Sequence, residues 1–204
     1  VYKRQDLAGS NKTTINGSTH LSANDMSGRN IHFGVREHAM AAICNGVSLH
    51  GGVLPYCATF LVFHDYMRPS VRLAAIMHQP VVFVYTHDSI FVGEDGPTHQ
   101  PIEQIMSMRL IPNLHVVRPS DANEVSEAWK YALKRNDGPT ALVLTRQSLP
   151  TIERDNFNSV EGLHRGAYRV LTVENPDVIL IATGSEVSLA LESAEALSTI
   201  GVNA

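Results

Sequence analysis

Cysteine is scarce in this chain, and the two present, Cys44 and Cys57, stand in apolar surroundings without metal-ligand spacing. Their context speaks against a cysteine metal site and for buried free thiols in a reducing, cytoplasmic compartment. No apolar run is long enough for a membrane span, and no charged-then-apolar segment opens the chain, so neither a membrane partner nor a signal peptide is expected. Basic residues are also few. Sixteen Lys and Arg against 20 Asp and Glu give a formal charge of -4 and no basic face for nucleic acid. A start methionine is missing too: the chain opens on Val1-Tyr2-Lys3-Arg4 and stops at Ile200-Gly201-Val202-Asn203-Ala204, where another strand is due. We read it as a piece of a longer polypeptide.

What is present is an α/β alternation. With 44% hydrophobic residues in 204, the chain can bury a sizeable core. Strands are expected at Ile31–Phe33, Val53–Ala58, Val81–Tyr85, Leu114–Arg118 and Thr140–Leu144. Helices are expected from Arg36 to Leu49, from near Thr59, from about Pro101, and after a capping-box pattern at Ser120. Val125, Ala128, Trp129, Ala132 and Leu133 share one helical face, which makes Trp129 a core residue. The run Pro80-Val81-Val82-Phe83-Val84-Tyr85 lacks polar alternation, as a parallel strand covered on both faces requires. The pattern predicts a three-layer α/β/α fold with a mostly parallel sheet over 1–152. Residues 153–175 read as a polar linker. A strand at Val178–Ala182 and a helix at Val187–Leu197 then begin a second domain at 176–204, truncated because one such unit cannot close a core.

The densest chemistry follows the Pro80–Tyr85 run. Thr86 to Pro101 gathers His87, Asp88, Glu94, Asp95 and His99 around a turn of glycines and proline, at the strand end where open α/β sheets carry ligands. His87 and His99 can converge across that turn, or each can be a satisfied structural histidine. Asp95 can act chemically or cap the backbone of Pro97 and Thr98. Glu37 at a helix start has an ordinary explanation in the helix dipole. Phe60, Phe63 and Tyr66, at intervals of three, form either a core stripe or the flat apolar wall of a cleft, with the Tyr66 hydroxyl at a polar edge. Arg146, ending a strand, suits an internal ion pair or a phosphate fork.

Taken together, five segments in order resemble the transketolase family over essentially the whole chain. They are Asp6-Leu7-Ala8-Gly9-Ser10-Asn11, Gly34-Val35-Arg36-Glu37-His38-Ala39-Met40, Thr59-Phe60-Leu61-Val62-Phe63-His64-Asp65-Tyr66, Thr86 to Pro101, and Thr145-Arg146-Gln147-Ser148-Leu149-Pro150. Deoxyxylulose-phosphate synthases share the Gly-Glu-Asp-Gly-Pro-Thr-His core but not the Thr-His-Asp-Ser-Ile lead or the Gln-Pro that follows. Dihydroxyacetone synthase is a close relative that these residues separate poorly.

The resemblance implies a thiamine-diphosphate-binding domain of the pyrimidine type within a homodimer whose active site is shared between subunits. It implies transfer of a two-carbon ketol unit from a ketose phosphate to an aldose phosphate through a thiamine-diphosphate carbanion. Glu37 would share a proton with the pyrimidine ring nitrogen and favour the imino tautomer. Phe60, Phe63 and Tyr66 would line the pyrimidine pocket, and Asp6 would help position the thiazolium side. Asp95 and His99 would contact sugar hydroxyls near the reacting carbons, and Ser10, His87 and Arg146 the distal phosphate. Mg2+ or Ca2+ would be held by the family's N-terminal domain, so no metal ligand is assigned here. The isolated chain is expected to be inactive, a structural or dimerisation module by itself. Phe91 departs from the family's usual glycine after Ser-Ile, with a narrowed pocket or a shifted loop as the expected consequence.

Overall fold

The computed structural model describes the backbone of residues 2–4 and residues 7–204. Its elements, in chain order, are β1 (Tyr2–Arg4), α1 (Ala8–Asn11), β2 (Asn30–His32), α2 (Glu37–His50), β3 (Tyr56–Phe60), α3 (His64–Ile76), β4 (Val82–Thr86), α4 (Gln104–Arg109), β5 (His115–Val117), α5 (Ala122–Lys134), β6 (Thr140–Val143) and α6 (Glu186–Thr199). Short 3-10 turns cover Leu61–Phe63, Ile90–Val92, Arg154–Asn156 and Val160–Arg165.

The six strands form one sheet in the order β2-β1-β3-β4-β6-β5, and every pairing between them is parallel. This is the three-layer α/β/α class expected from the alternation. All five residues of β4 are buried, which explains why its sequence is apolar without alternation: both faces are covered. On one face Cys57, Phe83, Tyr85, Ala141 and Val143 pack with Met40, Ala41 and Cys44 of α2, Met67, Val71, Ala74 and Ala75 of α3, and Met108 of α4. Ala58, Val82, Val84 and Leu142, pointing the other way along the same strands, are equally buried.

Several expected elements move. The helix expected near Thr59 is not there: β3 runs on to Phe60, a 3-10 turn follows, and α3 starts at His64. Thr59 and Phe60 are drawn into the sheet by pairing with Tyr85 and Thr86, so tertiary register overrides the spacing of three. The helix expected from Pro101 begins at Gln104 instead. Gln104 explains the delay, because its Oε1 accepts the Ile102 N–H at 2.9 Å and holds the segment as a turn. At α5 the cap shifts by one residue: Asp121 Oδ1 accepts the Glu124 N–H, and Glu124 Oε2 accepts that of Ser120, each at 2.8 Å.

Two compact units divide the chain, residues 1–117 with 132–147 and residues 118–131 with 148–204. In the second, the polar stretch after residue 150 is tied down by carboxylates of the α5 end. Asp121 Oδ2 accepts the Ile152 N–H at 3.0 Å, Glu124 accepts the Tyr168 hydroxyl at 2.5 Å and Glu127 meets His164 Nε2 at 2.8 Å. The strand expected at Val178–Ala182 does not form. Asp177 and Val178 donate to the Asn203 carbonyl instead of to a ladder, and Ile181 is 92% exposed. A lone strand without a neighbour has no ladder to join.

The sheet buries one imidazole completely. His64, at the start of α3, meets the Tyr85 hydroxyl through Nδ1 at 2.8 Å, while its Nε2 has no partner among the described residues. Burial, assisted by the Arg68 charge, holds its pKa at about 4. The folded value lies below the unfolded one, so stability is fully present above pH 6.5 and is lost as the pH falls toward 4. At 1.36 kcal/mol per unit the loss reaches about 3 kcal/mol. Urea unfolding followed from neutral pH down to that range should show the decline, and His64→Phe should remove close to one proton from its slope.

Candidate functional site

A parallel sheet delivers the C-terminal ends of all its strands to one edge, and the sequence-selected residues lie along it. Glu37 opens α2 shortly after β2, Ser10 lies in α1 after β1, Phe60 ends β3, His87 follows β4 and Arg146 lies three residues beyond β6. In the order β2-β1-β3-β4-β6 these strands are successive neighbours. The chain also reverses its winding between β1 and β3, the kind of switch point beside which open α/β sheets bind their ligands. Asp6 lies outside the described residues.

The centre is an aromatic and imidazole stack. Phe60 and Phe63 lie nearly parallel, 9° apart with centroids separated by 6.0 Å, and Tyr66 continues the row at 6.1 Å from Phe63. His87 stacks on Phe60 at 3.7 Å, and His99 stands edge-on to Phe63 at 5.4 Å. Phe60 is buried, Phe63 half-buried, and Tyr66 63% exposed. The row is therefore no core stripe: it runs from the sheet interior to an open surface and forms a wall, with each residue on a different kind of backbone.

Charges converge on His87. Burial lowers its pKa first, the Arg146 and His99 charges lower it further, and Asp95 pulls it back up. Asp95 and Arg146 are exposed, which leaves them available to a ligand. The loop bearing Asp95 and His99 is closed by the Gly96 carbonyl, which accepts the N–H groups of His99 and Gln100 at 3.0 and 3.2 Å, and by Gln100 Nε2 donating to the Gly93 carbonyl. Gly93 and Gly96 take its left-handed angles, φ 92° and 77°. Phe91 is not among the positive-φ residues, and its side chain is 57% exposed on a 3-10 turn. The phenylalanine therefore fits this loop without left-handed strain.

Glu37 is 6% exposed, and its carboxylate has no hydrogen bond or ion pair among the described residues. A buried carboxylate at a helix start, left unpaired by the described residues, has acceptor capacity for an external donor. Glu37 and the His87 cluster share the sheet edge without a hydrogen bond or ion pair between them. Ser10 is exposed, and its neighbour Asn11 accepts the Thr86 hydroxyl at 2.7 Å. That bond joins the segment carrying Ser10 to the one carrying His87. Asn11 and Thr86 were not singled out from the sequence; both stood inside the selected segments, but their pairing spans 75 positions. Among the described residues no group of three or more His, Cys, Asp or Glu is gathered for a metal, and no helix is long and apolar enough to cross a membrane.

Fold and edge together define an open α/β binding domain, with a flat apolar wall beside titratable and cationic groups. The family model described as transketolase, pyrimidine binding domain, matches residues 1–151, and that of the transketolase-like TK C-terminal domain matches residues 166–204. The chain belongs to the transketolase family. It is 55% identical to the transketolase of Aquifex aeolicus over 97% of its own length and 29% of that protein. Identity to the transketolase of Halalkalibacterium halodurans is 56%, over 98% of this chain and 30% of the relative. A solved transketolase from Pichia stipitis, in complex with sedoheptulose 7-phosphate, superposes with a TM-score of 0.95 at 42% identity, covering 100% of this chain and 30% of that one. The chain thus spans about three tenths of the length of the relatives it matches.

The electrostatics of His87 can be read directly. Replacing Arg146 with Ala should raise the His87 pKa and Asp95→Asn should lower it. Titration of the assigned imidazole by NMR checks both signs, and a shift in the wrong direction for either would show that the groups do not face one another.

Proposed function

We propose that the chain is the pyrimidine-binding part of a transketolase and the opening of its C-terminal domain, within an enzyme that transfers a two-carbon ketol unit between sugar phosphates. The division is 1–152 for the first domain, 153–175 for a connector and 176–204 for the start of the next. Family matches over 1–151 and 166–204 support two domains, the second match beginning within the proposed connector. The single observation that carries the reading is the buried Glu37, without a partner among the described residues, on the same sheet edge as the Phe60, Phe63 and Tyr66 wall.

These residues fit an aminopyrimidine. Phe60, Phe63 and Tyr66 offer a flat surface to the ring, and Glu37 offers a carboxyl group to a ring nitrogen, where it holds or returns a proton. Asp6 is assigned to the thiazolium side by family resemblance alone. Thiamine diphosphate, when bound, supplies the nucleophilic centre and electron sink that carbon–carbon bond cleavage requires. Mg2+ or Ca2+ belongs to the diphosphate, on a domain these residues do not include. Asp95 and His99, on the glycine-closed loop, accept or donate to sugar hydroxyls beside the reacting carbons and select a hydroxylated donor. Ser10, His87 and Arg146 receive the distal phosphate, with Arg146 as the charged fork. The sedoheptulose 7-phosphate held by the Pichia stipitis enzyme supports substrates of this class.

A site completed by a second subunit's diphosphate-binding domain calls for a homodimer, and the chain by itself is then without turnover. Cytoplasmic location belongs to the same proposal, supported by the buried free thiol of Cys44.

Two substitutions in the full-length enzyme test the assignments. Glu37→Ala should sharply reduce ketol transfer while leaving the dimer intact. Near-normal turnover by a correctly folded variant would reject its role. Arg146→Ala should raise KM for phosphorylated ketose and aldose by ~10-fold, equivalent to about 1.4 kcal/mol of binding. A short unphosphorylated donor should be affected much less; equal losses would make Arg146 structural.

A further inference from the structure

The ring of His87 is held more tightly than stacking alone requires. In an extended strand the side chains of successive residues point to opposite faces, yet Thr86 Oγ1 and His87 Nδ1 lie 2.9 Å apart. The break in alternation is made by His87 itself, whose φ is +60°, a left-handed angle that is uncommon outside glycine. Such angles persist only where the surroundings over-determine them. Here Phe60, paired in register with Thr86 on the adjacent strand, covers the imidazole face at 3.7 Å. Thr86 engages the ring edge.

Protons along this edge can be counted. A threonine hydroxyl has one hydrogen. Thr86 donates its hydrogen to Asn11 Oδ1, at 2.7 Å and in a buried setting. It has none left for the ring, so the 2.9 Å contact is made by an Nδ1–H that donates to Thr86 Oγ1. In a neutral imidazole with its proton on Nδ1, Nε2 carries a lone pair and no hydrogen. The His87 Nε2 has no hydrogen bond to any described residue. The free atom of the ring is therefore an acceptor.

We infer that Asn11 and Thr86 are positioning residues that lock His87 in the Nδ1–H tautomer, so that its Nε2 meets the substrate as a hydrogen-bond acceptor. This deepens the proposed function and rests on it for the identity of the ligand. A neutral Nε2 takes an O–H, from a sugar hydroxyl or from a singly protonated phosphate, and cannot donate to a fully ionised phosphate oxygen. In the distal subsite the charge-assisted donation then falls to Arg146, and His87 recognises a donor. Asn11 lies next to Ser10 in the chain, so the same bond that sets the tautomer also fixes the segment bearing Ser10 against the end of β4.

The test reads the tautomer itself. Nitrogen-detected correlation spectra of the chain labelled at histidine, with the His87 signals assigned by their loss in His87→Gln, are recorded at a pH where the ring is neutral. Nδ1 should appear as the protonated nitrogen and Nε2 as the bare one. Thr86→Ser and Asn11→Asp, which keep the hydroxyl and the acceptor, should preserve that pattern; Thr86→Val should lose it. A proton on Nε2 in the unsubstituted chain, or a pattern indifferent to Thr86→Val, overturns the inference. So does an Nδ1–H pattern that appears only in Asn11→Asp, since it would mean that the Asn11 amide donates to Thr86 in the unsubstituted chain.

The kinetic arm uses the full-length enzyme. Thr86→Val should raise KM for phosphorylated substrates severalfold with kcat changed less, and Thr86→Ser should restore it. Tautomer loss without any change in KM overturns the positioning role. Substrate pairs that differ only in the terminal group separate the two ligand sources: an effect confined to phosphorylated sugars assigns the O–H to phosphate, and an equal effect on unphosphorylated ones assigns it to a hydroxyl. Absence of ketol transfer in the unsubstituted full-length protein would sink the proposed function and leave the tautomer result standing.

Discussion

Parallel pairing of β4 with β3 on one side and β6 on the other is the constraint on which the remaining structure depends. Because the strands run the same way, their C-terminal ends emerge together, and residues far apart in sequence meet there without any long excursion of the chain. Parallel strands need crossover connections, and the helices that supply them here cover the sheet. That covering makes β4 apolar throughout, and the polar chemistry is displaced to the point where the strand stops, at Thr86 and His87.

The same arrangement explains why the edge is both rigid and chemically unsaturated. Backbone donors and acceptors inside the sheet are used in ladders, and the loops beyond it close on themselves through the Gly96 carbonyl and the Gln100 side chain. Side chains at the edge retain unused capacity: the buried Glu37 is unpaired among the described residues, Tyr66 is exposed, and Asp95 and Arg146 face solvent. Rigid backbone with unsatisfied side chains is what a preorganised site requires. Stability is conceded locally, at the left-handed His87 and in the neutral, enclosed His64, whose partners Thr86 and Tyr85 are successive residues of β4.

Much of this was legible in the linear sequence. The unbroken apolar run before Thr86 indicated a two-faced parallel strand, glycine spacing indicated a tight loop, and five ordered motifs indicated the family. Boundaries were less legible where a distant partner decided them. Thr59 and Phe60 follow a helical spacing, yet pairing with Tyr85 and Thr86 draws them into β3. Pro101 suits a helix start, yet the Gln104 side chain takes the Ile102 N–H and delays the helix. Val178–Ala182 has the composition of a strand but no neighbour with which to form a ladder.

The sequence by itself determined the α/β class, the apolar strands and the residue types available at the strand ends, because these follow from short-range periodicity and from motifs a few residues long. Tertiary structure alone decided which groups meet. The stack of His87 on Phe60 joins positions 27 apart, and the Asn11–Thr86 bond joins positions 75 apart. Neither local propensity nor spacing encodes such contacts; register between strands does, and register is a property of the folded sheet.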